Sequence, residues 1–263
     1  MGYSDPMKSV RQAQIHHIVE ERGAVTVADL GALLDVSEAT VRRDLDALSG
    51  QGAVIRTHGG AMTAASLGRE RPLLERETVN RDAKEAIARE ASAMVSPGET
   101  LFLGSGTTVS AMTKYLGVTP SLTIISNSLP VIDAVSGLPN VELIVIGGSF
   151  RQSELSMVGI IAVEAIGQFQ ADRVFMGMRA IDVDRGFTGD NIDEAMTDRE
   201  ILGMGKQSIV LADHSKFGCV STVFLAPVDA ADLVITDAGV DRRIADAVMS
   251  AGMQLIIAGQ KPD

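Results

Sequence analysis

Two stretches of this chain hold side chains whose types and spacing can do chemistry. In VSEATVRRDL, residues 36–45, two guanidinium groups stand side by side at Arg42 and Arg43. At about 100° per residue, Val41, Leu45 and Leu48 form an i, i+4, i+7 apolar stripe. Ala39 and Arg43 then point away from the stripe, and Thr40 and Arg42 flank it. An outward arginine can reach guanine O6 and N7 with two hydrogen bonds, and threonine can hold a phosphate or a thymine methyl. Ser37 is a good cap for such a helix, whose N-terminus favours phosphate. Arg56 and His58 could add contacts to a nucleic-acid backbone or minor groove. On paper Arg42 and Asp46 also make an i, i+4 ion pair, worth only a few tenths of a kcal/mol. Adjacent arginines alone would read as a solvated face.

The second stretch is LFLGSGTTVSAM, which reads strand, loop, helix. The backbone N–H groups of Gly104, Ser105 and Gly106 and the hydroxyls of Thr107 and Thr108 could wrap a phosphate. No GK[ST] follows, so this is not a P-loop; alone, the loop is an ordinary turn. Three further segments follow apolar runs: Ser126-Asn127-Ser128 after LTII, Gly147-Gly148 after VELIVI, and DHSKF from Asp213 after SIVLA. Ligands bind at the carboxyl ends of strands in open α/β sheets, so all four segments are expected to converge on one crevice. Lys216 suits a phosphate or sugar hydroxyl, while Asp213 and Glu194 suit sugar hydroxyls. Asp213 and Lys216 by themselves would be a surface turn.

Positioning these groups takes two kinds of element. Residues 8–22 predict a helix with Ile15, Ile18 and Val19 on one face, stopped at Gly23. VADLGALLDV predicts a second helix and residues 38–49 a third, ended by SGQG. AVIRTHGGAM predicts a strand and a tight turn at Gly59-Gly60. The sum is a winged helix-turn-helix over residues 1–60. Residues 61–80 are small, polar and of mixed charge, and read as a linker. Residues 81–263 alternate short apolar runs (TLFLG, LTIIS, VELIVIGG, RVFMGM, SIVLAD, DLVITD, QLIIAG) with helical segments, among them 81–95, 108–116, 128–138, 158–169, 191–206 and 241–252. That alternation predicts a mostly parallel α/β sheet with helices on both faces.

The 263 residues carry a net charge of −11, the wrong sign for a simple nucleic-acid coat. Residues 91–263 hold 11 basic and 20 acidic side chains, whereas residues 1–60 hold 6 and 8, so DNA binding must rest on local placement of a few arginines. With no Trp and two Tyr, the core must be aliphatic, and the twelve Met are core filler. A single cysteine, Cys219, excludes an intrachain disulfide and a Cys-rich zinc site. It reads as a packed side chain, with a reactive thiol as the alternative. His16 and His17 diverge on their helix, and His58 and His214 fall in different domains, so no metal site and no cofactor is expected. The start of the sequence does not resemble a secretory signal, and no run of about 18 apolar residues occurs, which predicts a cytoplasmic protein without a membrane span.

Residues 11–62 closely resemble the N-terminal domain of the DeoR family of bacterial regulators of sugar metabolism. The resemblance lies in Arg11-Gln12, the Val36-Ser37 turn, TVRRDL, Leu48 and RTHGGA. Residues 76–259 resemble the family's C-terminal half through Arg76, Asn80 and Lys84, LGSGTT, TIISNSLPV, VIGG, DEAMTDREIL, LADHSKFG and VITD. The resemblance implies operator-DNA binding by Ser37, Ala39, Thr40, Arg42, Arg43, Arg56 and His58. It also implies a sensor of a phosphorylated sugar, similar in fold to ribose-5-phosphate isomerase and glucosamine-6-phosphate deaminase, and a homo-oligomer, dimer or tetramer. The expected function is a transcriptional regulator, a repressor, of a carbohydrate-utilisation operon. The alternative is an active sugar-phosphate isomerase or deaminase with Asp213 and Glu194 as acid–base groups. Gly104 stands where many members carry Asp, so a carboxylate that catalysis would use is missing.

Overall fold

A computed structural model describes residues 6–22, 24–57, 59–62 and 72–260. The chain divides into two compact units, Met1–Glu70 and Arg71–Asp263.

In the smaller unit α1 (Pro6–Arg22) leads to β1 (Ala24–Thr26), α2 (Val27–Leu34) and α3 (Glu38–Gly50), then to β2 (Ile55–Thr57) and β3 (Gly60–Met62). Local chemistry sets the boundaries. The Thr26 hydroxyl accepts the Asp29 N–H at the start of α2, and Asp35 ends that helix in the left-handed conformation at φ 52°. The Ser37 side chain accepts the Thr40 N–H at the start of α3. Ile15, Val19, Val27, Leu30, Val41, Leu45 and Leu48 interlock in one aliphatic core. Each such burial is worth about 1.5–3 kcal/mol. The strands form an antiparallel wing in the order β1-β3-β2. Thr57 pairs with Gly60, so Gly60 already belongs to β3 and is not part of the Gly59-Gly60 turn expected from sequence. Gly60 is needed for another reason: a Cβ there would lie 2.0 Å from the Val25 carbonyl oxygen on β1.

The larger unit contains α4 (Leu73–Arg76), α5 (Arg81–Ala93), β4 (Thr100–Leu103), α6 (Thr107–Met112), β5 (Leu122–Ser126), α7 (Leu129–Val135), β6 (Val141–Val145), β7 (Ser149–Arg151) and β8 (Ser156–Val158). It continues through α8 (Ile160–Ile166), β9 (Ala171–Gly177), β10 (Ala180–Asp182), β11 (Gly186–Gly189), α9 (Ile192–Gly203), β12 (Gly205–Leu211), β13 (Val223–Ala226), β14 (Leu233–Thr236), α10 (Arg242–Ser250) and β15 (Gln254–Ile257). Seven strands form one sheet in the order β15-β14-β12-β9-β4-β5-β6, every neighbouring pair parallel. Side chains alternate across it. Leu101 and Leu103 pack with Ile87, Val109, Met112 and Val131 of α5, α6 and α7, whereas Phe102 packs with Ala162, Ile166 and Ile201 of α8 and α9. The three-stranded sheet β10-β11-β13 adds Phe187 and Leu225 to this second face. The chain order reverses between β4 and β9, the topological switch point of the sheet.

Of residues 61–80, read from sequence as a linker, 63–71 lie outside the described residues. Residues 61–62 are strand, and Leu73, only 1% exposed, is bound to the larger unit through its N–H to the Ser153 carbonyl at 2.7 Å. Leu73 is buried while the adjacent Leu74 is exposed, so the pair leaves no periodic signal of burial.

Candidate functional site

On α3 the side chains of Val41, Leu45 and Leu48 are buried, and Ala39, Arg42 and Arg43 are exposed. The guanidinium of Arg42 binds Glu38 at 2.7 Å, not Asp46 as expected. The reason is geometric: helical side chains lean toward the N-terminus of their helix, which brings Arg42 to the residue four positions before it. Both partners are more than half exposed, and such a pair contributes only about 0.3–0.5 kcal/mol, little to give up when a stronger partner arrives. Among the described residues Arg43 has no ion-pair partner. The Ser37 and Thr40 hydroxyls lie 2.9 Å apart and close the first turn of the helix. Arg56 is half-buried at the base of the wing, donating to Asp46 at 3.0 Å and to the Gly60 carbonyl at 2.9 Å. His58 lies outside the described residues.

Asp44 was not singled out from sequence, yet it fixes this helix. Its carboxylate, 1% exposed, accepts Arg11 Nε at 2.5 Å and Gln12 Nε2 at 3.0 Å from α1. Arg43 projects from the next position. Arg11-Gln12 and TVRRDL, two blocks of the family resemblance, are therefore the two sides of one lock.

In the larger unit the glycine-rich loop lies at the switch point. The Gly104 N–H donates to the Phe175 carbonyl at 2.9 Å. Added Cβ atoms at Gly104 and Gly177 would lie 3.2 Å from Met176 Cβ and 3.1 Å from the Ser105 carbonyl oxygen, so the ends of β4 and β9 pass closely. Gly106 takes φ 120°, which side-chain-bearing residues rarely adopt. Thr108 is buried, while Ser105 and Thr107 are half-buried at the loop. Next door, Ser126 Oγ donates to the Leu103 carbonyl at 2.7 Å and accepts the Ser128 N–H at 3.1 Å, joining the ends of β4 and β5. Asn127 Nδ2 donates to the Met157 carbonyl at 2.9 Å. Asn127 Oδ1 and the Ser128 and Ser156 hydroxyls are buried with no hydrogen-bond partner. Gly148 admits β8: a Cβ there would lie 2.8 Å from the Val158 carbonyl oxygen. Gly147 is exposed beside it.

Asp213 follows β12 and is 2% exposed. Its Oδ1 accepts Asn80 Nδ2 at 2.9 Å and the Ser215 N–H and hydroxyl at 3.0 and 2.5 Å, so that oxygen is already committed to holding the turn. Glu194, in the first turn of α9, lies 3.5 Å from Arg151, which also binds Asp190 at 2.8 Å. Burial pushes the Cys219 thiol pKa up, while the charges of Lys216 and Arg179 oppose the rise. These two cations thus share one neighbourhood beyond the ends of β12 and β9. Sequence reasoning passed over Arg179, whose signal was a cation directly after the apolar run RVFMGM. Lys84 is a third cation, 6% exposed, with Nζ 2.5 Å from the Arg76 carbonyl oxygen. His214 Nδ1 lies 2.8 Å from Asp237, and this hydrogen bond raises the His214 pKa against desolvation. Burial pushes the Asp237 carboxyl up, but bonds from the His214 ring and backbone outweigh it, and the net shift is down. Among the described residues no group of three or more His, Cys, Asp or Glu is placed to hold a metal ion.

Residues 79–238 match the model of the DeoR C terminal sensor domain, and residues 11–66 that of the DeoR-like helix-turn-helix domain. The HTH-type transcriptional regulator GolR of Listeria innocua serovar 6a is 31% identical over 248 residues, 94% of this chain and 98% of the relative. The transcriptional repressor AccR of Agrobacterium fabrum strain C58 is 32% identical over 231 residues, 87% of this chain and 89% of the relative. The HTH-type transcriptional repressor GlcR of Bacillus subtilis strain 168 is 29% identical over 250 residues, covering 95% and 96%. Among solved structures, the ribose 5-phosphate isomerase A of Methanocaldococcus jannaschii covers 52% of this chain and 55% of its own at 18% identity, with a TM-score of 0.38, too slight to transfer anything.

Proposed function

The chain belongs to the DeoR family of transcriptional regulators, and on that premise we propose that it represses a carbohydrate-utilisation operon in response to a phosphorylated sugar. Its curated relatives are regulators, and the chain is a regulator, not an isomerase or deaminase. The observation that carries the reading is the outward face of α3. Arg43 stands exposed between a buried aliphatic stripe and the buried Asp44 that locks α3 to α1. That mounting fixes the helix from which the guanidinium projects, and bidentate recognition of a base by arginine is worth about 1–3 kcal/mol of discrimination. In this reading α3 enters the major groove. Ala39, Thr40 and Arg42 lie beside Arg43, Ser37 sits at the phosphate-facing end, and Arg56 and His58 reach the backbone from the wing.

The effector lies at the switch point of the sheet, its phosphate against the loop 104–108 with Lys216 and Arg179 as counter-charges. Its hydroxyls face Ser126, Asn127, Ser128, Gly147 and Gly148, with Glu194 beside them. The unpartnered Asn127 Oδ1 and Ser128 hydroxyl support this, because buried polar atoms ordinarily have partners. Asp213 shapes the pocket through Asn80 and Ser215. Paired half-sites need paired recognition helices, so the working species is a dimer or tetramer. It acts in the cytoplasm, where operator DNA is; no helix among the described residues is long and apolar enough to cross a membrane.

Two assays test this. Rounds of selection from a random duplex pool should enrich one sequence with inverted half-sites. A thermal-shift panel of sugar phosphates should give one compound that raises the melting temperature of the full chain. Enrichment of no duplex rejects the regulator, and a flat panel rejects the sugar-phosphate sensor.

A further inference from the structure

Residues 72–84, which open the larger unit, are fastened to two segments of the proposed effector site. Toward one end the Leu73 N–H donates to the Ser153 carbonyl at 2.7 Å, and Arg76 Nη2 binds the Glu154 carboxylate. Both partners of this ion pair are largely buried, at 15% and 4% side-chain exposure. Toward the other end Asn80 sits at the start of α5 in the left-handed conformation, φ 53°. It makes no capping bond to its own helix; its side chain goes to Asp213 instead.

Ser153 and Glu154 belong to the connection between β7 and β8. That hairpin grips the SNS segment from its far side. Met157 N–H donates to the Asn127 carbonyl at 2.8 Å, Leu129 N–H donates to the Leu155 carbonyl at 2.8 Å, and Ser128 and Ser156 form a β-bridge. Arg151 of the same hairpin holds Asp190 and Glu194. The hairpin is thus packed between residues 126–129 and the point where the chain enters the larger unit.

We propose that the 72–84 segment is a latch that reports ligand occupancy to the DNA-binding unit, with Arg76–Glu154 and Asn80–Asp213 as its two fastenings. A ligand that engages Asn127 and Ser128 pulls on the hairpin and so on Glu154; one that draws on Asp213 loosens Asn80. Either event changes how firmly residues 72–76 are held, and the DNA-binding unit is joined to the larger unit immediately before them. Arg76, Asn80 and Glu154 are positioning residues: none has to touch ligand or DNA. Buried, hydrogen-bonded ion pairs suit this role, because a small displacement leaves charges unpaired and the response is closer to two-state than graded.

The latch rests on the proposed regulatory function, and the test separates the two. The full chain is compared with Arg76→Gln, Glu154→Gln, the double variant, which keeps a neutral pair in place, and Asn80→Ala. The probe is the duplex that the wild type enriches from a random pool. Each single variant should bind it about fivefold or more weakly with α3 untouched, and the ion-pair variants should combine non-additively. Hydrogen exchange at the Leu73 and Leu129 amides should accelerate together. Affinities within about twofold of wild type in folded variants overturn the latch, as does faster exchange at Leu73 with Leu129 unchanged. Failure of the wild type itself to enrich a duplex removes the function, and the latch with it.

Discussion

Among the described residues of α3, Arg43 is the guanidinium with no ion-pair partner, and its neighbours show why adjacency in sequence does not mean equivalence. Arg42 is occupied by Glu38 and Arg56 by Asp46 and Gly60, so removing either also disturbs the protein's own contacts. Asp44 works through structure alone. Asp44→Asn removes the buried charge that Arg11 and Gln12 bind and breaks the ion pair between α1 and α3, a change that typically costs about 3 kcal/mol. The melting transition of the smaller unit should fall by more than about 10 °C, measured calorimetrically. A shift under about 2 °C would mean that the lock contributes little. At this scale the Val41–Leu45–Leu48 stripe was legible because periodicity reports burial. Asp44 was not, because a carboxylate beside the stripe looks solvent-facing until its partners, more than thirty residues away, are in place.

Among the elements, the seven strands of the main sheet were legible as seven apolar runs, since strands covered on both faces need no polar alternation. The β7–β8 hairpin and the β10-β11-β13 sheet were not. They are short and partly polar, and tertiary contacts set them rather than local preference. That the four candidate loops follow strands of one parallel sheet was legible from their positions after those runs; that Asp213 is engaged by Asn80 was not, because it joins residues 133 positions apart. The turns after β12 and β14 are joined by His214 and Asp237, and that junction titrates. Folding raises the His214 pKa, so its stabilisation is fully present below the unfolded value of about 6.5 and is lost as pH rises through the raised value. Asp237, held low, contributes above its ordinary value of 3.8 and loses that contribution as pH falls through the lowered one. The stability of the larger unit should therefore decline as pH rises above about 6.5, and His214→Gln should flatten this slope in denaturant titrations. An unchanged slope in the variant would assign the decline to other groups. Lys216→Ala should abolish the thermal shift produced by the sugar phosphate that stabilises wild type, an effect of about 2.7 kcal/mol at 100 times its Kd. A retained shift would place the phosphate elsewhere.

For the whole molecule, the charge of −11 and the proposed DNA-binding role are reconciled by separation into units. The acidic excess is concentrated in residues 91–263, outside the unit that carries the arginines proposed to face DNA. Few cations face the duplex, so affinity should depend on direct base contact more than on bulk attraction, and its salt dependence should be shallow. The measurement that bears most directly on this account is the affinity of the full chain for its selected duplex at one fixed salt concentration, wild type against Arg43→Ala. The account predicts a loss of about tenfold or more, with the sugar-phosphate thermal shift intact. An affinity equal to that of wild type would contradict it, because the face of α3 opposite Val41, Leu45 and Leu48 would then not be the surface that reads DNA.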